Sequence, residues 1–149
     1  FKAHKSGADI VEARIGGARV VLAKPRTYMN LSGGPVAALS RFFKVPPPSL
    51  IVVHDDIDLP YGVVRVKQDG GEGGHNGLRS ISASLGTKDY VRVRFGVGRP
   101  PGRMDPAEYV LREFSAAERA DLGIGLEDAA DAVEMLISDG LLATQNKLH

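Results

Sequence analysis

Residues 70–79 read GGEGGHNGLR, and this stretch is the most informative in the chain. Five of its first eight residues are glycine, the residue that reaches positive φ and lets a ligand come close to the main chain. An apolar run with helical spacing follows directly, at Leu78, Ile81 and Leu85. The stretch therefore predicts a loop that points backbone N–H groups and a helix N-terminus toward an anion or an oxygen-rich substrate, with Asn76 at the junction.

Composition limits the class of protein. A chain of 149 residues with 43% hydrophobic residues is long enough to bury the core of one domain. It has no cysteine, which excludes disulfides, thiolate metal sites and a cysteine nucleophile. It contains no apolar run of the length that a membrane-spanning helix needs. The net charge of +1 predicts no partner by itself, because the distribution of charge matters more than its sum.

Strand and helix patterns alternate along the chain after an initial hairpin. Gly16-Gly17 stands between two apolar strand patterns and predicts the hairpin turn. Asn30 or Ser32 is placed to cap the first helix, and residues 50–53 are continuously apolar, which is typical of a strand buried on both faces. We predict an α/β fold, a single domain over residues 1–149 with a mixed, twisted sheet flanked by helices in three layers. The predicted strands are residues 11–15, 19–23, 50–53, 63–67 and 91–97, and the predicted helices are residues 35–43, residues 78–85 and one that carries the apolar stripe Leu126, Ala130, Val133 and Ile137.

Basic residues alternate with apolar ones in two of the predicted strands. Arg65 and Lys67 alternate with valines, and so do Arg92 and Arg94. Period-two alternation puts the cations of each strand on one face, so neighbouring strands would make a local basic patch. The commoner alternative is a pair of half-exposed strands with solvated cations.

The acidic cluster His54, Asp55, Asp56 and Asp58 raises the question of a metal site. Imidazole and carboxylate are suitable ligands for divalent cations. Adjacent residues on an extended chain nevertheless point to opposite sides, so they rarely converge on one ion. We predict no metal at this cluster and interpret Asp58 as a turn-stabilising residue.

Four segments carry polar residues in a distinctive order and spacing. They are KPRTYMNLSG at 24–33, HDDIDLP at 54–60, GGHNGL at 73–78 and YVRVRFGVGRP at 90–100. Together they resemble the bacterial peptidyl-tRNA hydrolase family, and the resemblance extends from about Ala18 to His149. It implies the family's α/β fold and an enzyme that hydrolyses the ester between a peptide and the 3′-ribose of tRNA, without a cofactor.

The resemblance implies a role for Asp55. It matches the aspartate that holds the proton-accepting tautomer of the family's catalytic histidine, which is the orienting role of the third member of a catalytic triad. The alternative is that Asp55 only caps a turn.

The resemblance also assigns substrate binding to three residues. Tyr28, Asn30 and Asn76 match positions that bind the 3′ end of the tRNA, where neutral amides suit a ribose or a peptide amide and an aromatic ring can stack on a base. The alternatives are that Asn30 caps the following helix and that Tyr28 is a core residue. We expect a structural role for the neighbouring His75, because Asn76 carries the family's binding role.

Three cations match positions that grip the phosphates of the tRNA acceptor stem. They are Arg65, Lys67 and Arg94. Contacts of this kind would make binding depend on salt concentration. The segment Arg99–Met104 resembles a flap over the cleft, and the alternative is an ordinary surface loop.

The beginning of the chain departs from the family pattern. Members begin with an apolar strand, an Asn-Pro-Gly turn and a Thr-Arg-His-Asn segment whose histidine is the catalytic base, and nothing here matches these motifs. The neighbours of His4 match a later position of the family. We therefore expect a domain that lacks its N-terminal strand and first helix, and expect the chain as given to be inactive.

Two classes of function follow. The first is a metal-independent hydrolase of peptidyl-tRNA that releases free tRNA for translation, and the second is a non-catalytic RNA-binding module on the same fold. A metal-dependent hydrolase that uses His54 and the aspartates is a weaker third. We expect a cytoplasmic monomer with peptidyl-tRNA as its partner, and neither a membrane nor a metal.

Overall fold

The structure, a computed structural model, describes residues 1–99 and residues 116–148. Six strands and four helices in these ranges confirm the α/β class. The chain divides into two compact units, one formed by Phe1–Leu50 and Gln68–Val91 and the other by Ile51–Lys67 and Arg92–His149. The chain passes between them repeatedly, so neither unit is a separate stretch of sequence, and the single domain stays a prediction.

The first unit opens with an antiparallel sheet. Its strands are β1 (Lys2–Ala3), β2 (Ala8–Ile15) and β3 (Ala18–Pro25), in that spatial order. The two-residue turn at Gly16 and Gly17, which have φ of 56° and 80°, suits two glycines because both residues lie in the left-handed region. The predicted hairpin is confirmed, with longer strands than the alternation indicated.

Two helices of the first unit approach each other closely. They are α1 (Gly33–Phe42) and α2 (Asn76–Leu85). A Cβ added to Gly33 would lie 2.1 Å from the carbonyl oxygen of Ser80, and the Gly33 N–H donates to Ser80 Oγ at 2.8 Å. The helix α1 begins at Gly33, two residues before the predicted start at residue 35, where Ser80 satisfies the free N–H of its first residue. Only a glycine fits at this position, because the two backbones meet there.

The second unit carries a mixed sheet with the strand order β4-β6-β5. Its strands are β4 (Ile51–Asp56), β5 (Val64–Gln68) and β6 (Val91–Gly96). Strands β4 and β6 run parallel, since the Val97 N–H donates to Asp56 O at one end and the Val91 N–H to Leu50 O at the other. The expectation that residues 50–53 form a strand buried on both faces is wrong, because Val53 is 54% exposed.

Strands β5 and β6 run antiparallel. The Gly96 N–H donates to Val63 O, and the Asp69 N–H donates to Tyr90 O. Six residues separate these contacts on each strand, so the pairing continues without a bulge and the side chains of opposite residues share a face. The predicted mixed sheet is confirmed in β4-β6-β5, and the strands of the initial hairpin belong to a second, antiparallel sheet.

The helices of the second unit are α3 (Ala116–Asp139) and α4 (Leu141–Leu148), separated by Gly140 at φ 87°. The predicted apolar stripe is wrong, because each buried position of α3 lies one residue before a predicted one and Leu126 is 56% exposed. A Cβ on Gly125 would lie 2.7 Å from Phe95 Cε2, so small residues face the sheet where hydrophobic periodicity favours large ones. The buried positions are Gly125, Ala129, Ala132 and Leu136. No helix within the described ranges has the length and apolar character to cross a membrane.

Candidate active site

Asn30 lies on a short 3-10 helix, Met29–Leu31, that leads into α1. Its side chain is exposed, and Tyr28 beside it is 82% exposed. Neither Asn30 nor Ser32 caps α1 with its side chain: no cap hydrogen bond forms at Ser32, whose hydroxyl donates to Met29 O at 2.8 Å. The capping alternative for Asn30 and the core alternative for Tyr28 are therefore both wrong. An exposed aromatic ring and an exposed amide stand next to each other here.

Asn76 is the first residue of α2, and the helix is capped by its neighbour. His75 Nδ1 accepts the N–H of Leu78 at 3.1 Å, so the Nδ1 atom carries no proton in this arrangement. Gly73 and Gly74, which precede His75, adopt positive φ of 59° and 77°. These left-handed conformations turn the chain from the loop into the first turn of α2. This geometry supports the structural role expected of His75, and it leaves Asn76 exposed at the helix start.

The two asparagine-bearing segments meet at Gly77. A Cβ added there would lie 3.1 Å from Met29 Cγ and 2.8 Å from His75 Cε1. Because Met29 precedes Asn30 and Gly77 follows Asn76, this contact holds both asparagines beside one helix N-terminus. Two predicted substrate-binding residues, 46 positions apart in the numbering, are thus brought together within the first unit.

An ion pair ties down the glycine-rich loop. Lys88 Nζ lies 3.3 Å from Glu72 Oε2, and the Glu72 side chain is 15% exposed. The carbonyl of Glu72 accepts the N–H of His75 at 3.0 Å. The loop is therefore attached at its middle residue, although its glycines permit many conformations.

Asp55 lies in the second unit, in β4 and one residue before the strand ends. It is half-buried, as are its neighbours His54 and Asp56. His54 Nδ1 lies 2.7 Å from the carbonyl oxygen of Asp55. A carbonyl only accepts, so Nδ1–H is the donor. The Asp55 backbone is thereby restrained at its carbonyl, on its C-terminal side.

Asp56 is anchored through both carboxylate oxygens. Arg94 Nε donates to Oδ2 at 2.9 Å, and the N–H of Asp58 donates to Oδ1 at 2.8 Å. The side chains of Asp56 and Arg94 are 14% and 24% exposed. Asp58 pairs with Arg99, a more exposed contact with side chains 42% and 67% accessible. The acidic cluster is thus largely compensated by arginines. Asp58 lies in the turn, but the side chain that accepts a hydrogen bond there is that of Asp56 rather than that of Asp58, for which this role had been predicted.

The three predicted phosphate-binding cations lie on the adjacent strands β5 and β6. The register places Arg65 opposite Arg94 and Lys67 opposite Arg92, on one face of the pair. Arg65 Nη1 donates to the carbonyls of Val64 and Leu148, at 3.0 and 3.1 Å. Carbonyl partners leave the charge of a guanidinium uncompensated, whereas a carboxylate partner offsets it.

The alternation in β6 did not predict exposure correctly. Arg92 has 0% of its surface exposed, so this face of the strand is not a row of solvated cations, and the alternative of two half-exposed strands is wrong for β6. Arg94 is half-buried against Asp56. Of the cations on this face, Arg65 and Lys67 on β5 are half-exposed.

Among the described residues, no group of three or more histidine, cysteine, aspartate or glutamate side chains is arranged to hold a metal ion. The predicted flap, Arg99–Met104, lies outside the described residues except for Arg99. Within the described ranges the chemically notable features are exposed amides beside a helix start, a half-buried carboxylate at a strand end and a pair of strands with cations on one face. The amides can bind an uncharged polar group, the carboxylate can orient an imidazole, and the cations can attract phosphates.

Sequence reasoning missed three residues that hold these groups in place. Met29 stood only as one residue of the segment at 24–33, Gly77 only as part of a loop, and Asp56 only as a member of the acidic cluster. A strand pattern that ends in adjacent aspartates indicated that one carboxylate would be partly buried and would need a cation or hydrogen-bond donor of the protein as its partner. No local signal identified that partner as Arg94, because 38 residues separate the two.

The comparisons with known proteins agree on one family. The family model described as "Peptidyl-tRNA hydrolase" matches residues 1–149. The peptidyl-tRNA hydrolase of Nocardia farcinica is 64% identical over 100% of this chain and 78% of its own length. That of Frankia alni is 62% identical over 100% of this chain and 76% of its own. The crystal structure of peptidyl-tRNA hydrolase from Acinetobacter baumannii superposes with a TM-score of 0.88 at 31% identity, over 97% of this chain and 73% of that chain.

These matches do not support the expected N-terminal truncation. The family model covers residues 1–149, and both relatives align over 100% of the chain.

Proposed function

This chain belongs to the peptidyl-tRNA hydrolase family, and we propose that Asp55, Asn30 and Asn76 carry its reaction. The reaction is hydrolysis of the ester bond between peptide and tRNA, which releases free tRNA for translation. Ester hydrolysis requires a base that activates water, a group that orients the base, and donors for the developing oxyanion.

Asp55 is the orienting group in this proposal. A half-buried carboxylate on a strand end is held rigidly enough to fix the tautomer and direction of an imidazole and to stabilise the imidazolium that forms during the reaction. Neither nearby histidine offers an accessible proton acceptor: His75 accepts a hydrogen bond at Nδ1, so its Nε2 carries the proton, and the Nε2 of His54 is buried. We therefore do not assign the base to either of them.

The asparagines are the substrate-binding groups. Each amide offers two donors and an acceptor, which suits the ribose, the scissile carbonyl and the attacking water. Tyr28, 82% exposed beside Asn30, offers a ring on which the terminal base stacks. The observation that carries the proposal is the contact of Met29 with Gly77, because it gathers both amides at one helix N-terminus.

The phosphates of the acceptor stem are assigned to the cations of β5 and β6. Lys67 and Arg65 are expected to contribute most, since Arg65 donates to carbonyls that do not neutralise it. Arg94 is expected to contribute least, because its charge is offset by Asp56. Binding through such contacts weakens as salt rises, because phosphate neutralisation releases counterions.

The second candidate is an RNA-binding module without catalysis. The exposed Tyr28 and the cations of β5 favour it equally, since both serve binding alone. The half-buried carboxylate of Asp55 distinguishes the two candidates, because a module that binds phosphates gains nothing from a negative charge. We further propose a metal-independent enzyme that acts as a monomer in the cytoplasm, where translation supplies its substrate.

The test is an assay of the full-length enzyme with peptidyl-tRNA. We expect release of free peptide and deacylated tRNA, unchanged by EDTA, from a protein that elutes as a monomer in size-exclusion chromatography. Binding of peptidyl-tRNA without release would establish the RNA-binding module instead. Loss of turnover in EDTA, restored by a divalent cation, would establish the metal-dependent alternative.

A further inference from the structure

The ion pair between Asp56 and Arg94 has a function beyond stability: we propose that it positions Asp55. This inference rests on the proposed role of Asp55 and assigns Asp56 and Arg94 as positioning residues for the same reaction. Arg94 then supports the catalytic carboxylate in addition to its proposed phosphate contact.

Asp56 is held by three separate hydrogen bonds. Its carboxylate accepts from Arg94 Nε at 2.9 Å and from the N–H of Asp58 at 2.8 Å. Its main-chain carbonyl accepts from the N–H of Val97 at 3.0 Å. These contacts join β4, the turn after it and the end of β6, so the end of β4 cannot rotate or shift without breaking one of them.

The restraint on Asp56 passes directly to Asp55. The peptide unit between them is planar and rigid, and successive side chains on a strand point to opposite sides. Anchoring Asp56 on one side therefore fixes the direction in which the Asp55 carboxylate leaves the other side. The His54 Nδ1–H donates to the Asp55 carbonyl at 2.7 Å, which is a second restraint on this same peptide unit.

Charge compensation gives Arg94 a second effect. A carboxylate that is next in sequence to Asp55 would compete with it for an imidazolium, because both attract the same positive charge. The Arg94 guanidinium bound to Asp56 offsets that competing charge. The pair is little exposed, at 14% and 24%, so salt screens it less than an exposed pair.

The neighbouring pair of Asp58 and Arg99 provides the matched control. It lies two residues further along the same segment, and its side chains are 42% and 67% exposed. Exposed pairs of this kind contribute little to stability. The variant Asp58→Asn therefore removes one charge from the segment without removing the anchor of Asp56.

The experiment is a double-mutant cycle on the full-length enzyme. The variants are Asp56→Asn, Arg94→Gln and their combination, with Asp58→Asn as control. Each is assayed on peptidyl-tRNA and on a short aminoacyl-nucleoside ester that lacks the acceptor stem. Thermal unfolding and hydrogen exchange of the Val97 N–H are measured on the same samples.

We expect kcat to fall in both single variants by up to about 100-fold, the size of effect that a displaced catalytic group produces. For Asp56→Asn the fall should be equal on the two substrates, with KM and the salt dependence within about twofold of the parent. For Arg94→Gln the fall in kcat should appear on the minimal ester as well as on peptidyl-tRNA. The double variant should be no slower than the slower single variant, since both remove one interaction. The control Asp58→Asn should keep the parent kcat.

Three outcomes would overturn the inference. The first is a loss for Arg94→Gln that appears only with tRNA and not on the minimal ester, which would leave Arg94 with phosphate binding alone. The second is additive loss in the double variant, and the third is a uniform loss of melting temperature with unchanged kcat in the folded fraction. If the parent enzyme leaves peptidyl-tRNA intact, the proposed function fails, and hydrogen exchange then decides the inference. Protection lost at Val97 in both single variants and not in the control supports the anchor, and unchanged protection refutes it.

Discussion

The asparagine-bearing part of the first unit and the aspartate-bearing part of the second unit are held in place by different forces. Asn30 and Asn76 are gathered by close packing, since Met29 lies where a side chain on Gly77 would go. Asp55 lies beside a carboxylate that is anchored by Arg94. Neutral amides need correct distances, which packing supplies, whereas a carboxylate also needs compensation of the charges around it. The two regions should therefore respond to different substitutions, steric in the first and electrostatic in the second.

The largest expected effect is a complete loss of turnover in the 149-residue chain by itself. None of the four histidines of the chain matches the base of the family. We expect the purified chain to hydrolyse peptidyl-tRNA no faster than buffer, measured by release of free tRNA. Turnover above buffer would make His54 or His75 the base, and His75→Ala would separate the two.

The next effect concerns the aspartate region alone. In the full-length enzyme, Asp55→Asn should leave folding and tRNA binding nearly intact and lower kcat by about 10⁴-fold, as the corresponding change does in a serine-protease triad. The reason is that an amide no longer selects the correct imidazole tautomer. Stopped assays and tRNA binding on the same sample test this, with Asp58→Asn as the control for loss of one charge. A kcat equal to that of the parent would remove Asp55 from the mechanism.

The asparagine region should respond to a single methyl group. Gly77→Ala puts a Cβ 2.8 Å from His75 Cε1 and 3.1 Å from Met29 Cγ, which separates the two asparagine segments. A displacement of this kind should lower kcat/KM by about 10- to 100-fold. The control is Gly34→Ala in α1, where a Cβ meets nothing within 4 Å and alanine stabilises a helix by about 0.5–1 kcal/mol. Equal activity of the two variants would show that the contact at Gly77 does not position the asparagines.

The smallest effect belongs to the basic strand β5. Lys67→Ala should weaken tRNA binding and change the slope of log K against log salt by about 0.7–0.9 for one lost phosphate contact. It should not affect the minimal ester, which has no acceptor stem. Arg19→Ala removes an exposed cation of the hairpin, 80% accessible, and should leave the slope unchanged. Parallel losses on both substrates would argue against a phosphate contact at Lys67.

Short-range patterns were sufficient for much of the fold. The glycine pair at Gly16 and Gly17 with flanking apolar alternation predicted the hairpin, since two-residue turns with positive φ require such residues. The spacing of Leu78 and Ile81 predicted α2, because both lie on its buried face. The family was also evident from sequence, because its polar segments occur in a fixed order. These features depend on residues that are near each other in the chain.

Long-range contacts decided what the patterns did not predict. The start of α1 at Gly33 is set by Ser80, the buried stripe of α3 is set by the approach of Gly125 to Phe95, and Arg94 is occupied by Asp56. Hydrophobic periodicity reports which face of an element is apolar, but not which atoms of a distant segment will meet that face. The sequence by itself therefore determined the class, the family and the candidate residues, and only the tertiary structure decided how those residues are held, because packing and ion pairing depend on distances that local sequence does not encode.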